Sequence, residues 1–295
     1  MVLEKPVGTD ARLWLRFVAQ HLAAHMPIDV AMHEARLILA LALNRDTPIL
    51  SHEDIRLDTA AYEKLKSCIS QRLAGMPISR MRGWREFYGL RFELNADTLD
   101  PRPDSEVLID SALEFVAQKD WQETPISLLD LGTGSGCLLL ASLANMPSAH
   151  GIGVDISEAA LQQAAANANT LGLSQRAQFI RSDWAEALPA ERHHIILSNP
   201  PYIESGSLGE LSSEVGLYDP HQALFAGVDG LADYRRLMPI ITALLHVEGQ
   251  AFIEIGYGQA KAVSQLAEAA GLAIKAIHND LASIPRCLIV ARGDR

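Results

Sequence analysis

Ser198-Asn199-Pro200-Pro201-Tyr202 follows the apolar run His194-Ile195-Ile196-Leu197. A β-branched run stopped by two prolines reads as a buried strand ending in a stiff loop, because proline fixes φ and donates no backbone N–H. The loop gathers one amide side chain, backbone carbonyls and an aromatic ring, a set suited to gripping a planar group that carries an NH2. An amide nitrogen is a poor nucleophile because its lone pair is delocalised into the carbonyl. If Asn199 Oδ1 and the Pro200 carbonyl each accept one N–H, they fix the NH2 and favour the positive charge that builds as nitrogen attacks a methyl sulfonium in line. Tyr202 would pack on the face of the planar group. No strong general base is needed before the attack, since the amide can lose its proton once alkylated. Asn199, Pro200 and Tyr202 are thus the expected catalytic residues, and Asn199, Pro200, Pro201 and Tyr202 the expected substrate contacts. In isolation the same tetrapeptide is an ordinary turn, so the surrounding elements decide.

Upstream, Ile126-Ser127-Leu128-Leu129-Asp130-Leu131 reads as a strand running into Gly132-Thr133-Gly134-Ser135-Gly136 and then a helix. Glycines there allow a tight turn and close approach of a ligand to backbone at a helix N-terminus. The residue that would complete the dinucleotide fingerprint is Cys137, which argues against a nicotinamide or flavin site. Asp155 ends the next strand, about where a carboxylate accepts hydrogen bonds from ribose hydroxyls. Asp183-Trp184 follows the third strand and offers an acceptor for an adenine amine and an aromatic face to stack on it. Gly132, Thr133, Gly134, Ser135, Gly136, Asp155, Asp183, Trp184 and Asn199 are accordingly the expected cofactor contacts. The crevice is expected between the first and fourth strands, where strand order reverses.

These elements fall in the second part of the chain. After Pro125, strands near Gly151–Asp155, Ala177–Arg181, His194–Leu197, Gln250–Ile255, Leu272–Ile277 and Cys287–Ala291 alternate with helices, a pattern that implies an α/β fold with a parallel sheet covered on both faces. Before it, apolar residues recur at helical spacing from Leu13 to Leu22, from Ala31 to Ala42 (with Asp29 placed as a cap) and from Thr59 to Leu73, the expected small helical bundle. Trp84 to Leu94 alternates around Gly89 like a β-hairpin. Pro101-Arg102-Pro103-Asp104-Ser105-Glu106 reads as an extended link in which Asp104 or Ser105 caps the next helix. The expected domains are residues 1–83, a hairpin linker over 84–100, and 101–295.

With 295 residues, of which 48% are hydrophobic, the chain can bury a sizeable core. No apolar run is long enough to span a bilayer, and the start, Met1 to Pro6, lacks the basic-then-apolar order of a secretory signal, so a cytoplasmic protein is expected. Cys68, Cys137 and Cys287 form no CxxC pair, and no disulfide framework or metal site is indicated. The net charge of -11 weakens any proposal of tight binding to a nucleic-acid backbone. The stretch from Lys64 to Arg91 is locally basic, either a solvated surface or a docking face for an acidic partner.

Asp130 to Gly136, Asp155 and Asn199 to Tyr202 resemble the S-adenosyl-L-methionine-dependent amino-group methyltransferases. More narrowly, Gly83 to Phe87, Pro101 to Glu106, Asp219-Pro220 before Ala223-Leu224-Phe225, and Gly227 to Leu231 are similar to the peptide chain release factor glutamine N5-methyltransferases (PrmC/HemK family). The resemblance implies an N-terminal helical substrate-recognition domain and a Rossmann-like, seven-stranded methyltransferase domain. It implies S-adenosyl-L-methionine held by Gly132 to Gly136, Asp155, Trp184 and Asn199. It also implies a substrate glutamine, in the Gly-Gly-Gln loop of a release factor, held by Asn199 to Tyr202. The partner expected is therefore a release factor, with no nucleic acid and no membrane, and the chain is expected to be a monomer. Asp100 stands where that family usually has an apolar residue, and Asp219 replaces a frequent glutamate. The open alternatives are a ribosomal-protein glutamine methyltransferase, an adenine-N6 or guanine-N2 nucleic-acid methyltransferase, and a non-catalytic cofactor-binding adapter.

Overall fold

The structure is a computed structural model that describes residues 6–293; Met1 to Lys5, which carry most of the stretch read for a secretory signal, lie outside them. Two compact units are present, one reaching to Gly83 and including Leu211–Tyr218, the other formed by Trp84–Glu210 and the chain from Asp219 onward.

The first unit is built from α1 (Ala11–Leu22), α2 (Ile28–Ala42), α3 (Thr59–Leu73) and the short α4 (Ile78–Arg82). Asp10 and Asp58 cap α1 and α3 by accepting the N–H groups of Arg12 and Ala61. Asp29 does not cap α2: the helix starts earlier, after Pro27, and Asp29 sits in its first turn, where a carboxylate favours the positive helix end. Trp14, Leu15, Val18, Ile38, Leu39 and Leu65 close one apolar core. Arg72 is drawn into that unit by Glu34, 2.6 Å away, and by Glu214.

The second unit opens with a hairpin of β1 (Trp84–Phe87) and β2 (Leu90–Glu93). Its two turn residues, Tyr88 and Gly89, have φ of 51° and 71°, the left-handed pair that tight hairpins need. After α5 (Glu106–Gln118) come β3 (Ser127–Leu131), α6 (Cys137–Asn145), β4 (His150–Asp155), α7 (Glu158–Thr170), β5 (Ala177–Arg181), β6 (His193–Ser198), α8 (Ser213–Tyr218, within the detour that belongs to the first unit), α9 (Ala232–Leu244), β7 (Leu245–Glu254), α10 (Ala260–Ala269), β8 (Leu272–Asn279) and β9 (Pro285–Arg292). The seven-stranded sheet has the order β5-β4-β3-β6-β7-β9-β8.

The sheet is mixed rather than wholly parallel, because β9 pairs antiparallel with both β7 and β8. The physical reason is the connection: only Asp280 to Ile284 separates β8 from β9, too short for the crossover that a parallel pair requires. Strand order reverses between β3 and β6, which pair directly, so a crevice forms at their carboxyl ends. Both strands are almost wholly buried between helix layers, which explains their continuous apolar runs. Gly153 on β4 permits the close packing beside the turn after β3, since a Cβ there would lie 2.8 Å from Thr133 Oγ1 and 2.9 Å from the Phe179 ring.

Candidate active site

A cavity of about 340 Å³ opens at the carboxyl ends of β3, β4, β5 and β6. Its floor is the turn after β3, where Gly132, Gly134 and Gly136 have φ of 79°, 55° and 80°, values that favour glycine. Thr133 Oγ1 donates to the buried Asp130 at 2.6 Å, tying the turn to the strand below it; burial pushes the Asp130 carboxyl up to about 7. Asp155 accepts the backbone N–H of Gly134 at 2.9 Å with one oxygen and that of Ser157 at 2.9 Å with the other. Burial raises its carboxyl above the usual range, and those N–H groups oppose the rise.

Trp184 forms the opposite wall at a φ of 51°, an uncommon backbone state for an aromatic residue and one found at sites that must hold a side chain in a set direction. Its ring lies over Gly132, where an added Cβ would come within 3.4 Å of it. Asp233 on α9 lines the same cavity as Trp184, and Asp183 pairs with Arg236, also on α9, at 2.8 Å. Asn199 enters from the end of β6, its Nδ2 donating to Ser105 Oγ at 3.1 Å. Gly132, Thr133, Gly134, Ser135, Asp155, Asp183, Trp184, Asn199 and Pro201 therefore share one cavity. Gly136, Pro200 and Tyr202 stand behind its walls. Gly136 is buried against Ala164 and Leu140, and Tyr202 directs its hydroxyl to the buried Glu254 at 3.2 Å, with burial the main cause of its raised pKa.

Residues 13–83 match the family model described as the PrmC N-terminal domain, and residues 105–212 match that described as the methyltransferase small domain. A release factor glutamine methyltransferase of Cereibacter sphaeroides is 42% identical over 268 residues, covering 90% of this chain and 93% of that one. One of Rhodospirillum rubrum is 40% identical over 266 residues, 90% of this chain and 80% of its own. The chain belongs to the release factor glutamine methyltransferase family. A solved methyltransferase of Pyrococcus furiosus, 16% identical, has the same fold with a TM-score of 0.50 over 70% of this chain and 90% of its own.

This member of the release factor glutamine methyltransferase family is an enzyme whose cavity holds residues beyond those expected from its motifs. Arg102 and Ser105 reach the cavity from the Pro-Arg-Pro link, and Asp233 and Arg236 from the first turns of α9. Ser105, expected as a helix cap, makes no capping bond; its hydroxyl turns inward to Glu254. Glu254 ends β7 and is 1% exposed. A carboxylate closing the run Gln250-Ala251-Phe252-Ile253 was the one legible signal for it, since a charge at the end of a buried strand needs partners. Asp100 is also 1% exposed and lies between Arg102 at 3.3 Å and Arg85 at 3.6 Å, while Arg102 reaches on to Asp219. The unusual carboxylate at 100 thus has two guanidinium partners. The basic stretch is largely committed internally: Arg72 to Glu34 and Glu214, Arg82 to the Asp46 carbonyl, Arg85 to Asp100, and Arg91 to Glu93 and the Trp84 ring. Cys137 lines the cavity, but burial pushes its thiol up to about 12, leaving it a packing residue.

Proposed function

We propose that the chain transfers a methyl group from S-adenosyl-L-methionine to the side-chain nitrogen of the glutamine in the Gly-Gly-Gln loop of peptide chain release factors. One observation carries this reading: the Asn199 amide shares a single cavity with the Gly132 to Ser135 turn, Asp155 and Trp184. The residues present fit the methyl donor. Gly134 faces space in which a Cβ would meet nothing within 4 Å, so a ligand can lie against its backbone. Asp155 offers a carboxylate to ribose hydroxyls, Trp184 a face to adenine, and the acidic lining suits a cationic ligand. When bound, the cofactor supplies an electrophilic methyl on a positively charged sulfur.

The chain's own residues then position the acceptor. Asn199 Oδ1 accepts an N–H of the glutamine amide, holds its nitrogen in line and favours positive charge on it, while the buried Pro200 stiffens the loop behind it rather than facing the substrate. Tyr202 supports the loop from behind through Glu254. The amide gives up its proton after methylation, so no side chain has to remove it first. The helical unit, with Leu211–Tyr218, seats the release factor, and the unit that begins with the hairpin carries the chemistry. Among the described residues no helix is long and apolar enough to cross a membrane; we read the protein as a cytoplasmic monomer that does not contact nucleic acid. The test is incubation with labelled cofactor and, in parallel, purified release factors, ribosomal proteins and DNA. Label in the release factors is expected; label confined to a ribosomal protein or to DNA overturns the assignment.

A further inference from the structure

The Asn199 amide has a polarity that its neighbours enforce. Ser105 donates its only hydroxyl proton to Glu254 Oε2, so its oxygen can face Asn199 only as an acceptor. The nitrogen branch of the amide must then turn toward Ser105, as it does at 3.1 Å, which leaves Oδ1 as the branch available to a ligand. Glu254 is anchored in turn: Tyr202 Oη donates to Oε1 at 3.2 Å, and although burial raises its carboxyl, the Ser105 hydroxyl, the Arg286 charge and the Tyr202 hydroxyl oppose that rise; Arg286 itself is tied to Asp280 at 3.2 Å and to the Ile255 carbonyl at 3.3 Å. Glu254, Ser105 and Asn199 come from β7, the Pro-Arg-Pro link and the loop after β6, so three separate elements meet to set one amide.

We propose that Glu254, acting through Ser105, is a positioning residue that fixes the hydrogen-bond polarity of Asn199, so that the site accepts an amide NH2 and rejects a carboxylate. This rests on the reading of Asn199 as the amide grip. Were the Ser105 proton free to turn toward Asn199, it would donate to Oδ1, the amide would reverse, and an N–H would face the ligand. Such a site would favour glutamate over glutamine. A specificity built on opposed donors and acceptors discriminates strongly, because the wrong ligand leaves buried polar groups unpaired.

The experiment uses the full chain as wild type, Ser105→Ala and Glu254→Leu. It measures kcat on a release factor, cofactor Kd, thermal midpoint, and inhibition by a Gly-Gly-Gln peptide against its Gly-Gly-Glu counterpart. In Ser105→Ala the amide loses the acceptor that orients it; in Glu254→Leu the Ser105 proton is released to reverse it. Expected are a fall in kcat of at least about tenfold and a fall in the glutamine-over-glutamate preference of at least about tenfold, with cofactor Kd within about twofold of wild type. A preference that stays at the wild-type value, or both peptides weakening in proportion, overturns the proposal, since mere loosening of the loop would not favour one peptide. If Glu254→Leu fails to fold, Ser105→Ala decides alone. A wild type that does not methylate the release factor counts against the proposed function instead, and is distinguished by that first measurement.

Discussion

Asn199 holds its amide at the end of a buried strand, where its Nδ2 is tied to Ser105 and the residue lines the cavity. Removing that side chain should affect the acceptor far more than the donor, because the turn, Asp155 and Trp184 line the cavity independently of it. Asn199→Ala is expected to lower kcat about 10²–10³-fold, the cost typical of losing one preorganised polar contact to a reacting group. Cofactor Kd, measured by calorimetry, should stay within a few-fold, and methylation near the wild-type rate would contradict the role given to Asn199. Asn199 was legible in the sequence because two prolines after an apolar run announce a rigid loop. Ser105 and Glu254 were not legible as parts of a site: a serine before a helix looks like a cap, and a strand-end glutamate gives no sign of which residue it will meet. Their partners lie 94 and 149 positions away along the chain, and only the fold brings them together.

At the scale of elements, the reversal of strand order between β3 and β6 creates the crevice, and the strand–turn–helix pattern of the sequence was enough to anticipate it. The antiparallel β9 was less visible, since an apolar run looks the same in either direction and only the short β8–β9 connection fixes it. The helix α9 gave no advance sign of forming a wall, because Asp233 and Arg236 look like ordinary charges on the outer face of an amphipathic helix. The amino end of β6 carries a different consequence. His193 is buried beside His150 and His194, and burial first, then those neighbouring charges, lower it from 6.5 to about 4; burial and then His246 lower His194 as well. The folded state therefore keeps His193 neutral while the unfolded chain takes up a proton below pH 6.5, so the stability it contributes is lost as pH falls from 6.5 toward 4. Asp130, raised to about 7, acts in the opposite sense and loses its contribution as pH rises from 3.8 toward 7, so wild type must be compared with a variant lacking the histidine. Between about pH 7 and about pH 5, His193→Gln should lose about 1–2 kcal/mol less than wild type in urea unfolding. Equal losses would show that the histidine is not held neutral.

At the scale of the whole molecule, the division of labour follows from where the charges and motifs fall. The chain is acidic overall, and the guanidinium groups between Arg72 and Arg91 are largely engaged within their own units. That distribution suits a protein acceptor better than a polyanion. The detour Leu211–Tyr218 leaves the loop that begins at Asn199 and joins the helical unit before the chain returns at Asp219, so chain connectivity links the acceptor loop to the unit proposed to seat the substrate. The central claim is that this loop presents a side-chain amide for methylation, and its most direct test is fragmentation mass spectrometry of a release factor after reaction with the full chain and labelled S-adenosyl-L-methionine. One methyl group on the side-chain nitrogen of the glutamine in the Gly-Gly-Gln loop is predicted; a methyl on any other atom of the release factor, or none, would contradict it.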